Sequence, residues 1–252
     1  MTLQELIPIA VLAFICELVD STLGMGYGTT LTPIMLALGF EPLQIVPAVL
    51  CSEAITGILA GLFHHEFGNV NLQPGSRDFK VALLITGCSV VGVLIATALA
   101  IKLPSWVVKL YIGVLVLSLG IYIITKRREE YPFSWLRIGG LGTLAAFNKG
   151  ISGGGYGPVV TAGQVLSGVR GRNAVGITSL AEGVTSIVGF AIYYFSGSQL
   201  DYNLMIALGA GAVLSVPLSA FLVSRLSTGR LTLIIGGLST CLGGYTLVRL
   251  LL

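Results

Sequence analysis

The chain has 252 residues, of which 54% are hydrophobic and only 10% are charged, and its mean hydropathy is +0.93. A soluble domain carries charge on about a quarter of its residues, so the composition excludes a soluble globular protein and predicts an all-α, polytopic protein of the lipid bilayer. The formal net charge of +3 is informative only through the positions of Lys and Arg along the chain. The four cysteines lie singly in apolar runs without metal-ligand spacing, and no metal, cofactor or nucleic-acid partner is predicted.

A glycine-rich break occurs twice in the sequence. Adding 129 to the residue number relates five pairs of identical residues: Gly24 and Gly153, Gly26 and Gly155, Tyr27 and Tyr156, Gly28 and Gly157, and Glu53 and Glu182. Self-similarity at a constant offset indicates a duplicated architecture, which is frequent among transporters. We therefore predict one repeat over residues 1–127, a linker at 128–135 and a second repeat over 136–252.

Each predicted repeat begins with two short apolar runs and continues with three full membrane spans. In the first repeat the short runs are 6–19 and 29–40, each about half to two-thirds of a bilayer crossing as helix. The predicted full spans of the first repeat are 43–63, 81–101 and 107–125. In the second repeat the short runs are 136–147 and 157–167, and the full spans are 174–195, 203–224 and 231–248.

The distribution of basic residues decides how the short runs thread. If each pair is a re-entrant hairpin, at 6–40 and 136–167, one face of the membrane collects most of the Lys and Arg residues. If each pair is one broken helix that crosses, the two faces become nearly equal, so the positive-inside rule favours hairpins. Three crossings per repeat make the second repeat inverted, with eight transmembrane elements when each hairpin counts as one. The protein is then a multi-pass protein of the cytoplasmic (inner) membrane with both termini outside the cytoplasm and the linker inside.

The two breaks are the predicted binding site, because inverted repeats bring hairpin tips together near the bilayer midplane. Helices that begin at the tyrosines direct unpaired N–H groups and a positive dipole end toward this site, which favours a small anion. The predicted substrate-binding residues supply glycine backbone, hydroxyl and amide groups and one ammonium: Ser21, Thr22, Gly24, Gly26, Tyr27, Gly28, Thr29, Thr30, Asn148, Lys149, Ser152, Gly153, Gly154, Gly155, Tyr156 and Gly157. The other interpretation of the same glycines is a GxxxG packing contact between helices.

Glu53 and Glu182 are each predicted near the middle of a full span, where a carboxylate is costly and is a functional candidate. Two roles remain open for this pair: carrying protons that couple transport to the proton gradient, or organising the tips structurally. Asp20 is a candidate cap for the first tip, and Glu17 is a candidate to face the cavity. His64 and His65 are interpreted as interfacial residues rather than metal ligands, because the sequence has no further histidine.

The duplicated Gly-x-Gly-Tyr-Gly break, the glutamate in the following span and the layout of two equivalent halves resemble the TauE/SafE family of sulfite and organosulfonate exporters. The resemblance covers essentially the whole chain. It implies proton-driven export of a small sulfur-containing anion, such as sulfite or a two-carbon sulfonate like sulfoacetate, by alternating access.

Three other functions are weighed against such a transporter. An anion channel or uniporter would use the same site, and a membrane assembly subunit would transport nothing. An intramembrane enzyme is not predicted, because the sequence has no paired nucleophile and base and no metal-binding cluster. A homodimer is plausible for a bundle of this size, although the sequence assigns no interface.

Overall fold

The computed structural model describes residues 3–125, 134–223, 237, 240–248 and 250. Within these residues every regular element is a helix. In chain order the helices are α1 (Leu3–Leu23), α2 (Tyr27–Ala37), α3 (Pro42–Glu66), α4 (Arg77–Ala100), α5 (Ser105–Thr125), α6 (Trp135–Ser152), α7 (Tyr156–Leu166), α8 (Gly171–Phe195) and α9 (Tyr202–Leu222). Residues 240–248 are also helical, while residues 128–133 of the predicted linker and most of 231–239 in the predicted last span lie outside the described residues.

Six helices in the described part of the chain are long and apolar enough to cross a membrane: α1, α3, α4, α5, α8 and α9. Their outer faces carry large apolar side chains. On α1, for example, Ile7, Val11 and Ile15 recur every four residues and are each more than half exposed. A helix face of this kind is stable against lipid rather than water, so the helices support a polytopic membrane protein.

The first helix of each repeat is longer than predicted. The short run predicted at 6–19 belongs to a helix of 21 residues, about 31 Å, and the run predicted at 136–147 belongs to one of 18 residues. The predicted lengths were wrong because the polar residues that end each run remain helical. In α1, the Ser21 hydroxyl donates to the Glu17 carboxylate at 2.5 Å, and the Thr22 hydroxyl donates to the Leu18 carbonyl at 2.5 Å. These bonds satisfy the hydroxyls inside the helix.

The breaks themselves are short and depend on glycine. Helices α1 and α6 end where Gly24 and Gly153 adopt positive φ angles of 70° and 72°. Gly26 and Gly155 then precede α2 and α7 with φ angles of 136° and 78°. Residues with a side chain rarely adopt these backbone conformations, so the glycines allow one helix to end and the next to begin within a few residues. Helices α2 and α7 have 11 residues each and are short, as predicted.

Helix packing is reciprocal between the two repeats. Helix α1 packs along α9, and its equivalent α6 packs along α4. The equivalent helices α3 and α8 pack on each other and run antiparallel, because Gly57 lies against Gly183 whereas Leu50, earlier on α3, lies against Gly189, later on α8. This arrangement surrounds the two breaks with the long helices and buries them in the interior.

Candidate functional site

The two glycine-rich breaks lie in direct backbone contact. A Cβ atom added at Gly28 would lie 1.8 Å from the carbonyl oxygen of Gly153, and one added at Gly157 would lie 2.4 Å from the carbonyl oxygen of Gly24. The repeat offset converts the first contact into the second. Backbone atoms cannot move aside as a flexible side chain can, so glycine is required at these positions for close approach.

Two side-chain hydrogen bonds join the breaks across the contact. The Gly155 N–H donates to the Thr29 hydroxyl oxygen at 3.0 Å, and the Thr161 hydroxyl donates to the Gly24 carbonyl at 2.6 Å. Each bond connects one repeat with the other. The two breaks therefore pack as one unit. The same glycines both make the packing contact between the helices and form the candidate site.

The structure buries nearly every side chain and glycine predicted for the site. Only Thr30 is half-buried; the others are buried, namely Ser21, Thr22, Gly24, Gly26, Tyr27, Gly28, Thr29, Asn148, Lys149, Ser152, Gly153, Gly154, Gly155, Tyr156 and Gly157. Not all of them turn toward the meeting point. The Ser21 and Thr22 hydroxyls bond within α1, and the Ser152 hydroxyl donates to the Asn148 carbonyl at 2.7 Å within α6.

The two tyrosines anchor the short helices. The Tyr27 hydroxyl lies 2.9 Å from the Ser52 hydroxyl on α3, and the Tyr156 hydroxyl lies 2.9 Å from the Ser89 hydroxyl on α4. Both tyrosine side chains are completely buried. A buried phenol is stable when its hydroxyl has a partner, and these bonds fix the first residue of each short helix.

An ion-paired triad lies beside the second break. The Lys149 ammonium donates to the carboxylates of Glu53 and Glu182, with an N to O distance of 2.7 Å for Glu182. Lys149 has no exposed surface, and the two glutamates are 2% and 5% exposed. The structure thus brings the two repeat-related glutamates onto one ammonium, which is an arrangement that compensates the high cost of each charge inside a membrane.

Aromatic and amide groups complete the surroundings of Lys149. Its ammonium nitrogen lies 5.8 Å from the centre of the Tyr156 ring, within the range of a cation–π contact. In the residue before Lys149, the Asn148 side-chain oxygen accepts a hydrogen bond of 2.5 Å from the Tyr111 hydroxyl on α5. Two helices of the first repeat, α3 and α5, and three of the second, α6, α7 and α8, therefore contribute to this part of the site.

Asp20 caps the first break, as predicted. Its carboxylate accepts a hydrogen bond of 3.0 Å from the Tyr27 N–H, the first N–H of α2. A carboxylate at this place compensates the positive end of the helix dipole. The N–H group that the sequence predicts for an anion is consequently bonded to a carboxylate of the chain itself.

His64 is not interfacial, and that interpretation of the sequence was wrong. The imidazole is completely buried and lies 2.8 Å from the Ser21 carbonyl oxygen. Its other nitrogen faces the Asn69 amide nitrogen at 3.1 Å, which can only donate, so the proton lies on Nε2 and is donated to Ser21. A carbonyl near the end of α1 provides the buried acceptor that the sequence does not reveal.

The sequence analysis names Glu17 as a candidate to face the cavity, but not among the substrate-binding or proton-coupling residues. Glu17 is 2% exposed and lies close enough to Asp20, Glu53 and Glu182 to interact electrostatically with them. The signal for it was present, because an acidic residue inside a predicted span is a functional candidate on cost alone. Among the described residues no group of three or more His, Cys, Asp or Glu side chains is arranged to hold a metal ion.

A cleft of about 250 Å³ approaches the second break from the end of the molecule where α3 begins. Its wall includes Val46 of α3, Ile151 of α6 and Tyr193 of α8. The Tyr193 hydroxyl donates to the Gly150 carbonyl at 3.1 Å, so this wall is continuous with the end of α6. The arrangement as a whole offers a buried ammonium, two helix N-termini and an approach from one face.

Comparison with known proteins agrees with this architecture. The family model described as sulfite exporter TauE/SafE matches residues 9–246. The chain is 29% identical, over 260 aligned residues, to the probable membrane transporter protein YtnM of Bacillus subtilis (strain 168), with 98% of this chain and 84% of that protein covered. No solved structure gives a significant match. The chain belongs to the sulfite exporter TauE/SafE family.

Proposed function

We propose that this protein is a secondary transporter that exports a small sulfur-containing anion across the cytoplasmic membrane by alternating access around the two breaks. The observation that carries the proposal is the completely buried Lys149, which lies between Glu53 and Glu182 beside the contact of the two glycine-rich breaks. Ionisable side chains at membrane depth are rare and typically belong to a substrate or ion pathway. Sulfite and small sulfonates, of which sulfoacetate is one, are the proposed substrates.

The family membership supports the transporter class, and the name of the Bacillus subtilis relative describes a probable membrane transporter. An ammonium with helix N-termini is suited to an oxyanion, since both favour negative charge without requiring a metal. The chemistry of the described residues therefore agrees with a sulfite or sulfonate group as the part of the substrate that is bound.

Helix directions support an inverted repeat with a hairpin in each half. Three crossings per repeat require the equivalent helices α3 and α8 to be antiparallel, and they are. Two further contacts join segments at or near the predicted cytoplasmic ends of helices: the Asn173 amide at the start of α8 donates to the Asp78 carboxylate at the start of α4 at 2.6 Å, and the Asn69 amide after α3 donates to the Ala220 carbonyl near the end of α9 at 3.1 Å. A broken helix that crosses in each repeat would separate both pairs by the width of the membrane.

In the described arrangement the groups that suit an anion are bonded to acceptors of the chain. Lys149 contacts two glutamates, Asp20 accepts from the Tyr27 N–H, and Thr29 accepts from the Gly155 N–H. We propose that the substrate exchanges with these internal acceptors. The cleft at the Val46 side then provides access from one face, and rocking of one repeat against the other provides access from the opposite face.

Within this mechanism Glu53 and Glu182 organise the site. Each of them shares the ammonium of Lys149, so their geometry favours the organising role over that of independent proton carriers. The proton gradient remains the proposed driving force.

Flux measurements in liposomes test the proposal. Purified protein is reconstituted, and uptake of sulfite, sulfoacetate, sulfate, taurine and acetate is measured with and without an imposed pH gradient. We expect saturable transport of a sulfur-containing anion that is accelerated by the gradient. Lys149→Ala is expected to abolish it, whereas Lys109→Ala, which removes a surface ammonium of α5, leaves it intact.

Other outcomes would identify the competing functions. Flux that increases linearly with concentration and ignores the pH gradient would indicate an anion channel. Saturable flux without gradient dependence would indicate a uniporter. A folded protein that moves none of these anions would contradict the transporter and favour an assembly subunit.

A further inference from the structure

Four carboxyl groups and one ammonium are buried together at the two breaks. Glu17, Asp20, Glu53 and Glu182 are each at most 7% exposed, and Lys149 is the ammonium. The carboxyl groups interact electrostatically with one another. One ammonium balances one negative charge, and an excess of several buried negative charges is strongly unfavourable at membrane depth. Part of this set must therefore be neutral, and the contacts distinguish its members.

Three of the four carboxyl groups have a partner that stabilises their charge. Glu53 and Glu182 accept hydrogen bonds from the Lys149 ammonium. Asp20 accepts from the Tyr27 N–H at the N-terminus of α2, where the helix dipole favours an anion. Each of these contacts favours the ionised form over the neutral acid.

Glu17 differs from the other three. One of its carboxyl oxygens accepts a hydrogen bond of 2.5 Å from the Ser21 hydroxyl, and the other has no partner among the described residues. The charged groups that act on it most are Asp20, Glu53 and Glu182, all of them acidic. Among the residues that the structure describes, no ammonium, guanidinium or helix N-terminus compensates a charge at Glu17, so the neutral acid is the form that this environment tolerates.

The described helices around Glu17 supply acidic and neutral titratable groups, and none of them supplies a cation to it. Helix α2 contributes the Tyr27 phenol, α3 contributes Glu53 and His64, and α8 contributes Glu182. His64 donates its only ring proton to the Ser21 carbonyl and its other nitrogen faces Asn69, so it is neutral. Helix α9 has Tyr202, at its first position, as its only titratable residue.

We infer that Glu17 is the residue that binds and releases the transported proton, in place of Glu53 and Glu182. This inference rests on the proposed function, since it assigns the coupling ion of that transport. Glu17 holds the proton while Lys149 is shared by the two glutamates. When the substrate takes the ammonium and the surrounding charges rearrange, the balance at Glu17 changes and its proton exchanges with water. The residue of the second repeat that is equivalent to Glu17 is Ala146, so the second repeat has no carboxyl group at this position.

Infrared difference spectroscopy between two pH values tests the assignment without substrate. A protonated buried carboxyl group has a carbonyl-stretch band that a carboxylate lacks. We expect this band in the wild type, its loss in Glu17→Gln, and a changed frequency in Glu17→Asp, while Glu53→Gln and Glu182→Gln retain it. Persistence of the band unchanged in Glu17→Gln would overturn the inference.

Transport assays test the coupling. With one proton per anion, a gradient of one pH unit supports up to about tenfold accumulation of the substrate in the wild type. Glu17→Gln is expected to lose accumulation driven by the pH gradient and the accompanying proton flux, read with a pH-sensitive dye, while anion exchange down a concentration gradient remains detectable. Glu5→Gln, which removes an exposed carboxylate of the same helix, serves as the matched control and keeps both.

The two assays separate the possible failures. Gradient-driven accumulation that survives in Glu17→Gln would overturn the coupling role of Glu17 while the transporter function stands. Absence of anion flux from the wild type would contradict the proposed function itself. The infrared band is measured in either case, and the Glu17→Asp variant answers the question if Glu17→Gln does not fold.

Discussion

The two glycine-rich breaks share a backbone but differ in charge. Both end a long helix with a glycine at positive φ, both begin an 11-residue helix with a buried tyrosine, and each excludes a Cβ atom at the point of contact. The ionisable residues of α1 and α6 differ, however: the position of Asp20 in α1 is occupied by Lys149 in α6, and that of Glu17 is occupied by Ala146. The repeat relation is retained by the backbone and by Glu53 and Glu182, and it is lost by the ionisable side chains of α1 and α6.

This difference shows which part of the site is architecture and which part is chemistry. Packing of two breaks against each other requires glycine on both sides, and a change on one side has to be matched by space on the other. Charge has the opposite requirement, because two ammoniums or two sets of carboxylates facing each other would repel. An acidic first break and a basic second break compensate each other across one contact.

Removing Lys149, the basic residue at the second break, should reduce the free energy of unfolding more than any other change considered. Lys149→Ala leaves Glu53 and Glu182 without their shared partner, and breaking a buried ion pair costs about 3–5 kcal/mol. We expect the free energy of unfolding, measured in detergent, to fall by this amount near neutral pH. Addition of Glu182→Gln to Lys149→Ala should recover part of it. No recovery in the double variant would show that the loss arises from packing of the lysine stem.

The backbone symmetry predicts equal damage from equivalent glycines. Gly28→Ala and Gly157→Ala both place a Cβ atom on a backbone carbonyl of the other break, and we expect a loss of about 3 kcal/mol for each, the upper part of the usual range for overpacking. Thermal unfolding in detergent measures it. Gly140→Ala, on α6 where a Cβ atom meets nothing within 4 Å, is the control and should be neutral or slightly stabilising. Strongly unequal effects at 28 and 157 would refute the equivalence.

A smaller loss of stability is expected from removing Asp20, the acidic residue of α1 that is equivalent to Lys149. Asp20→Ala removes the carboxylate that accepts from the Tyr27 N–H, and loss of a helix cap costs about 0.5–2 kcal/mol. Asp20→Asn keeps an oxygen acceptor without the charge, so its loss should be intermediate. Thermal unfolding of the three proteins under one set of conditions gives the order. If Asp20→Asn is as damaged as Asp20→Ala, charge dominates over the hydrogen bond.

The smallest effect lies outside the breaks, at the start of α3. Hydrogen bonds from Ser105 and Lys109 hold the pKa of Glu41 below its usual value of 4.5. A lowered folded pKa stabilises the protein above the unfolded value, and this contribution is lost as the pH falls below 4.5 through the lower folded value. Because the side chain is 54% exposed, the pair with Lys109 contributes within the range of about 0.2–1 kcal/mol. A double-mutant cycle with Glu41→Gln and Lys109→Ala at two pH values measures it.

Much of the architecture followed from the sequence. The position of both breaks and the short helices after them were predicted from the duplicated pattern, because backbone geometry depends on residue types close in sequence. The boundaries of α3, α4, α5, α8 and α9 agree within a few residues with the full spans predicted for them. The cap formed by Asp20 also followed from its place just before the break.

The polar network could not be predicted in the same way. Glu53, Glu182 and Lys149 lie on three helices, and their contact depends on how α3, α6 and α8 pack. Burial of His64 against the Ser21 carbonyl is a contact between residues 43 positions apart. The extension of α1 from Asp20 to Leu23 was missed because the apolar run ends at Val19, whereas local hydroxyl bonds keep the following polar residues helical.

The packing of α1 along α9 has a consequence for how the protein is made. Helix α9 begins about 180 residues after α1 ends, so at a synthesis rate of about 5–20 residues per second α1 waits roughly 10–40 s for its neighbour. For most of that interval α8 is absent as well. The first helix is therefore made long before the helix that packs along it, and its Glu17 and Asp20 reach their buried state only after the later helices have joined it.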